Sequence, residues 1–203
     1  MPNINTRNKR GRPRAFDERA VIEHAAGVFL DQGFESVSYE QLGKEIGLSK
    51  PSLYNTFGDK TAFFERVLDS YAQHALSMAK AEFQGKENLQ IGVSSYLHGA
   101  AEIYSKQNAL SQGCLLIGTA LPACTQPGTV RKILTDFVVT LEDTLEQIVE
   151  AEYIDDARKL GRSPRHIAML LGSVVFSLAI RARTGLSSEK LHEAANELSE
   201  AML

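Results

Sequence analysis

Apolar residues recur three and four positions apart along most of the chain, and no period-two alternation is sustained, so the pattern predicts helices and no strands. A first helix is expected after Phe16. Asp17 sits at its N-cap, Val21, Ile22, Ala25, Val28 and Phe29 form its inner face, and Gly33 stops it. Ser38 opens a short second helix, and Gln41 three residues on completes a capping box. Leu42 and Ile46 face inward on that helix, and Gly47 gives the chain freedom to turn. Ser49 caps a brief third helix with Pro51 in its first turn, ending near Phe57-Gly58. Asp59 caps a fourth helix running to about Phe83 and stopped at Gly85; some 25 residues at 1.5 Å each span roughly 37 Å. Further helices are expected at about 88–106, 112–122, 128–153, 164–184 and 187–202, punctuated by Pro122, Pro127 and the Gly161-Arg162-Ser163-Pro164 stretch. The fold class is all-α, with about nine helices.

Composition narrows the class. With 203 residues, 43% hydrophobic and 23% charged, the chain is ordinary globular protein rather than collagen, low-complexity disorder or a disulfide-stapled miniprotein. The net charge of −3 hides an asymmetry: Arg7, Lys9, Arg10, Arg12 and Arg14 give residues 1–16 a charge of +5, whereas residues 67–203 carry −4. A basic arm on an acidic body points to a polyanion contacted locally, the plainer alternative being a tail that aids solubility. No membrane partner is expected. The longest apolar stretch, Ile167 to Ile180, is too short for a span, is interrupted by Gly172, Ser173 and Ser177, and reads as a buried helix. Nor does an apolar segment follow the N-terminal charges, so no signal peptide is evident. Cys114 and Cys124 fit a reducing compartment, and the cytoplasm is the expected location.

Residues 38–57 have the spacing of a helix-turn-helix. In Lys50-Pro51-Ser52-Leu53-Tyr54-Asn55-Thr56-Phe57, Leu53 and Phe57 at i and i+4 can pin one face, leaving Lys50, Ser52, Asn55 and Thr56 outward. Those types suit a major groove. Lysine can donate to guanine O6 and N7, Ser and Asn can donate or accept, and a Thr methyl can meet a thymine methyl.

Phe29-(x3)-Gly33-Phe34-Glu35-Ser36-Val37-Ser38, followed by Leu42-(x3)-Ile46-Gly47-Leu48-Ser49-Lys50-Pro51-Ser52-Leu53-Tyr54-Asn55-Thr56-Phe57-Gly58-Asp59-Lys60, resembles the DNA-binding domain of TetR/AcrR-type transcriptional regulators. The resemblance spans about residues 16–66. It implies a homodimer on palindromic double-stranded DNA, with a basic arm (1–15), a three-helix helix-turn-helix head (16–66) and a helical ligand-binding and dimerisation body (67–203) taking a small-molecule effector. Lys50, Ser52 and Asn55 then become base readers beside the capping Ser49, and Ser38, Tyr39, Tyr54 and Lys60 resemble phosphate contacts. Tyr54 could equally pack its ring on the head with only the hydroxyl reaching DNA. Arg10-Gly11-Arg12-Pro13 resembles an AT-hook core, whose arginines lie in a narrow minor groove of concentrated negative potential.

The body is less explicit. Helix 164–184 is apolar nearly all round. It must be buried on several sides, and the resemblance implies that Leu171, Val174, Val175 and Leu178, with Leu191 and Leu198 on the last helix, form a dimer interface with the same pair of helices from a second subunit, against the simpler reading of an intrachain core. Phe83, Tyr96, Tyr104, Cys114, Leu115, Phe137, Leu141 and Phe176 are the residues expected to line a ligand cavity. Gly113-Cys114-Leu115 opens a helix, where a thiol can have a lowered pKa. The alternative to small-molecule release of a repressor is thus a thiol- or metal-triggered sensor with the same DNA output. Cys114, Cys124, His74 and His98 follow no zinc spacing, and His24, His166 and His192 are scattered. No nucleophile set, Gly-rich phosphate loop or carboxylate dyad argues for an enzyme, and nothing calls for a cofactor or a metal.

Overall fold

The computed structural model describes residues 16–105, 113–124 and 128–203. The basic arm, with Arg10 and Arg12, lies outside the described residues. Ten α-helices and no strands occur among those described: α1 (Glu18–Gln32), α2 (Tyr39–Glu45), α3 (Lys50–Phe57), α4 (Lys60–Phe83), α5 (Leu89–Ser105), α6 (Leu121–Ala123), α7 (Thr129–Glu152), α8 (Ile154–Lys159), α9 (Pro164–Arg183) and α10 (Ser188–Met202). The all-α expectation holds. Asp17, Ser38, Ser49 and Asp59 each accept a backbone N–H at the helix start they were expected to cap, and Gln41 closes its box with Ser38.

Two local expectations change. The segment expected as one helix over 112–122 is a π-helical turn, Leu116–Ala120, running into the three residues of α6. And α8 was not anticipated. The helix before it ends at Tyr153, whose buried hydroxyl donates to the Phe83 carbonyl at 2.8 Å, pinning the α7–α8 junction to the end of α4.

The first three helices pack on the start of α4 around aromatic rings. Phe57 and Phe63 stack at 4.2 Å between centroids, Phe34 and Phe64 at 4.4 Å, and Phe29 meets Phe64 edge-on at 4.8 Å. The core then continues along α4 into the remaining helices. At 24 residues, about 36 Å, α4 joins the two regions as one rod.

Helix α9 lies against α5, α7 and α10. Its 20 residues are long and apolar enough to cross a membrane by length and composition, yet Ile167, Leu171, Val175, Leu178 and Ala182 are buried inside the protein. That burial corrects the expected interface. Leu171, Val175, Leu178 and Leu191 belong to the chain's own core, and Val174 and Leu198 are half-buried. The apolar side chains α9 leaves outward are Met169 (47% exposed), Leu170 (38%) and Ile180 (54%).

The start of α5 is capped from afar: the Leu89 N–H donates to the Asp156 carboxylate on α8 at 3.0 Å. That bond, helped by Lys159, holds the Asp156 carboxyl below its ordinary value. A lowered folded value means the stabilisation is complete above the ordinary Asp pKa of about 3.9 and is lost as pH falls through the folded value. The thermal midpoint of Asp156→Ala should therefore trail wild type by a constant margin from pH 8 to 5, and the margin should narrow below about pH 4. A margin that stays constant down to pH 3 would show that the carboxylate does not cap α5.

Candidate nucleic-acid interface

The turn between α2 and α3 depends on two glycines. Gly47 adopts φ +73°, a left-handed conformation that suits glycine. At Gly43 a Cβ would stand 2.7 Å from the Leu48 carbonyl oxygen and 3.1 Å from Leu53, so a missing side chain lets α2 press against the turn and α3. Leu53 and Phe57 bury the inner face of α3, leaving Lys50, Pro51, Tyr54 and Asn55 exposed and Ser52 and Thr56 half-buried. The Ser49 hydroxyl oxygen accepts the Ser52 N–H, and the two hydroxyls bond each other at 2.9 Å. One hydroxyl hydrogen of the pair is left for an outside acceptor. Lys50 and Asn55, with the half-buried Ser52, thus form an outward polar surface at the start and middle of a short rigid helix.

The residues expected to hold phosphate separate into distinct local roles. Ser38 caps α2 from an exposed position. Tyr54 is 48% exposed while its ring meets Tyr39 edge-on at 5.0 Å, so packing and exposure coexist. Tyr39 differs from expectation. It is buried, its hydroxyl donates to the Gly58 carbonyl at 2.8 Å, and burial pushes its phenol up to about 12. Its hydrogen is engaged in holding the end of α3, so in this conformation it has none to give a phosphate. The Lys60 ammonium, in the first turn of α4, lies 4.4 Å from the centre of the Phe34 ring.

Arg66 was not singled out from the sequence. Its guanidinium donates to the Thr56 carbonyl at 3.1 Å, pairs with Glu18 at 3.1 Å and lies over the Phe57 ring. A cation at the last carbonyls of α3 complements that helix's negative end and ties α3 to α1 and α4. Only the need for a cation there could have been foreseen, because the partners stand 10 and 48 residues away.

In the body, Tyr96, Tyr104, Cys114, Phe137, Leu141 and Phe176 line one cavity of about 40 Å³, room for little more than a water molecule. Phe83 and Leu115 do not line it. Phe83 is buried against Tyr96 and Tyr153, and Leu115 is fully buried core. The expected lowering of the Cys114 pKa is also reversed. Burial raises the thiol despite opposing hydrogen bonds from Ile117, Tyr71, Leu116 and Tyr104, and the π turn begins two residues beyond it. Cys124 is half-buried.

The histidines are not all scattered. His98 and His192 face each other with Nδ1 atoms 2.8 Å apart, ring planes 15° apart and centroids 5.1 Å apart. That is the in-line geometry of an N–H···N bond rather than two ligands converging on a metal, and the described residues hold no group of three metal-capable side chains.

Residues 21–67 match the family model for bacterial regulatory proteins of the tetR family. Those residues are a TetR-family domain. It is similar to two Escherichia coli (strain K12) proteins over nearly their whole lengths. They are the HTH-type transcriptional repressor ComR (26% identical; 93% of this chain, 90% of that one) and the HTH-type transcriptional repressor BdcR (29%; 95% and 92%). Among solved structures, a cysteine-substituted TetR family regulator CifR, complexed with 26-bp double-strand operator DNA, has a TM-score of 0.81 at 23% identity, covering 94% of this chain and 99% of that one. At that identity the likeness speaks for the fold, which is shared by head and body. With that domain and those relatives, the chain is a DNA-binding transcriptional regulator.

Proposed function

We propose that the protein is a cytoplasmic homodimeric repressor that reads an inverted-repeat operator and releases it when a small molecule binds. In this reading residues 1–15 act as a minor-groove arm, with Arg10 and Arg12 at its AT-hook core. Residues 16–66 form the head, and 67–203 bind the effector and the second subunit. The observation that carries the proposal is the exposed face of α3, Lys50 with Ser52 and Asn55, set on a helix whose other face is buried. The repressors ComR and BdcR and the operator-bound CifR support the same direction.

A route from body to head is built in. Cys114 lines the inner cavity, the π turn follows it, and the Thr119 hydroxyl in that turn donates to the Phe29 carbonyl on α1 at 3.2 Å. Movement of the π turn can thereby shift α1 against α4, and a palindrome read by two heads tolerates little change in their spacing. The thiol-triggered alternative places Cys114 on the same route. A buried thiol with a raised pKa is a poor nucleophile, and this favours non-covalent release.

Selection of duplexes from a random pool at fixed moderate salt tests the reading. An enriched inverted repeat is expected, and only unspecific, salt-labile binding would sink it. On the selected duplex, Lys50→Ala should relax preference at one base position by roughly 5- to 150-fold, as for a lost bidentate contact of about 1–3 kcal/mol. Tyr54→Ala should instead weaken all sequences alike. An equal loss of preference in both variants would overturn the two assignments.

A further inference from the structure

A cleft of about 700 Å³ lies where α1 runs past α4, closed at one side by Ile103 of α5. It is the size of a small-molecule site, whereas the inner cavity of about 40 Å³ is not. Gly27, in the middle of α1, forms part of the cleft. A helix-interior glycine is less favourable than alanine, so its presence needs a reason. Its φ is not positive and nothing stands within 4 Å of where a Cβ would be. Neither backbone conformation nor crowding excludes a side chain there, in contrast to Gly43. What glycine leaves at this point is open space.

The chemistry of the walls defines the occupant. Ile22, Ala26 and Ile103 supply apolar surface, with Leu30 and Val67 buried behind them. Ser70, Gln73 and Ser77 follow one another on successive turns of α4, a polar edge of about 10 Å at 1.5 Å per residue. The Ser77 hydroxyl donates back to the Gln73 carbonyl, which leaves its oxygen as an acceptor on the cleft wall. At one end Arg19 and Glu23 neutralise each other at 2.9 Å. Tyr71, His74 and Ile103 also wall the inner cavity, forming the partition between the two spaces.

We propose that this cleft between head and body binds an uncharged, elongated amphiphile, with an apolar body and hydrogen-bonding groups along one edge, which wedges α1 against α4. The regulatory consequence rests on the reading of the protein as a ligand-released DNA binder; the site itself does not. Nile red, an uncharged dye that brightens and shifts blue on leaving water, is the probe, titrated onto the full-length protein. Wild type should show saturable binding. Gly27→Ala should bind within threefold of wild type, and Gly27→Leu should lose at least tenfold by filling the space. Ser70→Trp fills it from the α4 wall and should act in the same direction, covering the case in which one variant folds poorly. Both filled variants should still bind the selected duplex, and the dye should displace wild type from it but not Gly27→Leu. Absence of a saturable site in wild type, or wild-type affinity in both filled variants, overturns the proposal. Cleft-dependent dye binding that leaves the DNA complex intact overturns the coupling. Failure of the duplex selection would count against the operator reading and leave the dye titration unaffected.

Discussion

Phe63→Ala is expected to destabilise the protein by about 3–5 kcal/mol, the range for removing a fully buried aromatic ring. The reason lies in how few apolar side chains three short helices can offer. Six of the chain's nine phenylalanines fall in residues 16–64, and Phe63 sits among them fully buried, stacked on Phe57 and within 6.5 Å of Phe29 and 6.4 Å of Tyr39. Phe57 is one of the two buried anchors of α3. Truncating Phe63 therefore removes the wall against which the proposed reading helix is held. Denaturant unfolding followed by far-ultraviolet circular dichroism should show the loss, and affinity for the selected duplex should fall for every sequence, since no base contact is touched. A change below about 1 kcal/mol, ordinary for a surface position, would mean that the aromatic cluster does not hold the head together.

The parts of the fold that could be read from the chain are those written within a few residues. Asp17, Ser38 with Gln41, Ser49 and Asp59 each bond a backbone N–H two or three positions away, so residue type and spacing suffice to place a helix start. The polar face of α3 was legible for the same reason, because Leu53 and Phe57 set its inner side. What escaped was long in sequence. Arg66 reaches Glu18 across 48 residues, Asp156 caps Leu89 across 67, Tyr153 anchors Phe83 across 70, and His98 meets His192 across 94. Periodicity names a helix's apolar positions but not which neighbour covers each of them. Six of the eight expected cavity residues nevertheless gather around one space, because aromatic and apolar residues on several core helices converge at the centre. Phe83 lies instead at the far end of α4, against Tyr153, where its ring has a packing partner of its own.

The same ambiguity governs α9 and leads to a larger functional effect. Glutamate at both Met169 and Ile180 is expected to convert a dimer into folded monomers, whereas Leu178→Glu should prevent folding. All three positions are apolar on a helix that is apolar nearly all round, and the sequence alone favoured Leu178 as an interface residue. Burial separates them: Leu178 is fully enclosed by its own chain, while Met169 and Ile180 stand about half exposed. Met169, Ser173, Ser177 and Ile180 recur at helical spacing along one outward strip of α9, the self-facing patch that a two-fold dimer requires. Two carboxylates per subunit brought together in such an interface would be desolvated without partners, a cost that folding of the monomer does not meet. Light scattering should report the monomer mass with helical content retained. Affinity for the selected inverted repeat should drop at least 100-fold, about 2.7 kcal/mol, because each head then binds its half-site alone, while single half-site binding persists. A Met169→Glu/Ile180→Glu protein that remains dimeric would move the interface off this strip of α9, and the spacing argument for two heads on one palindrome would then need a different pair of helices.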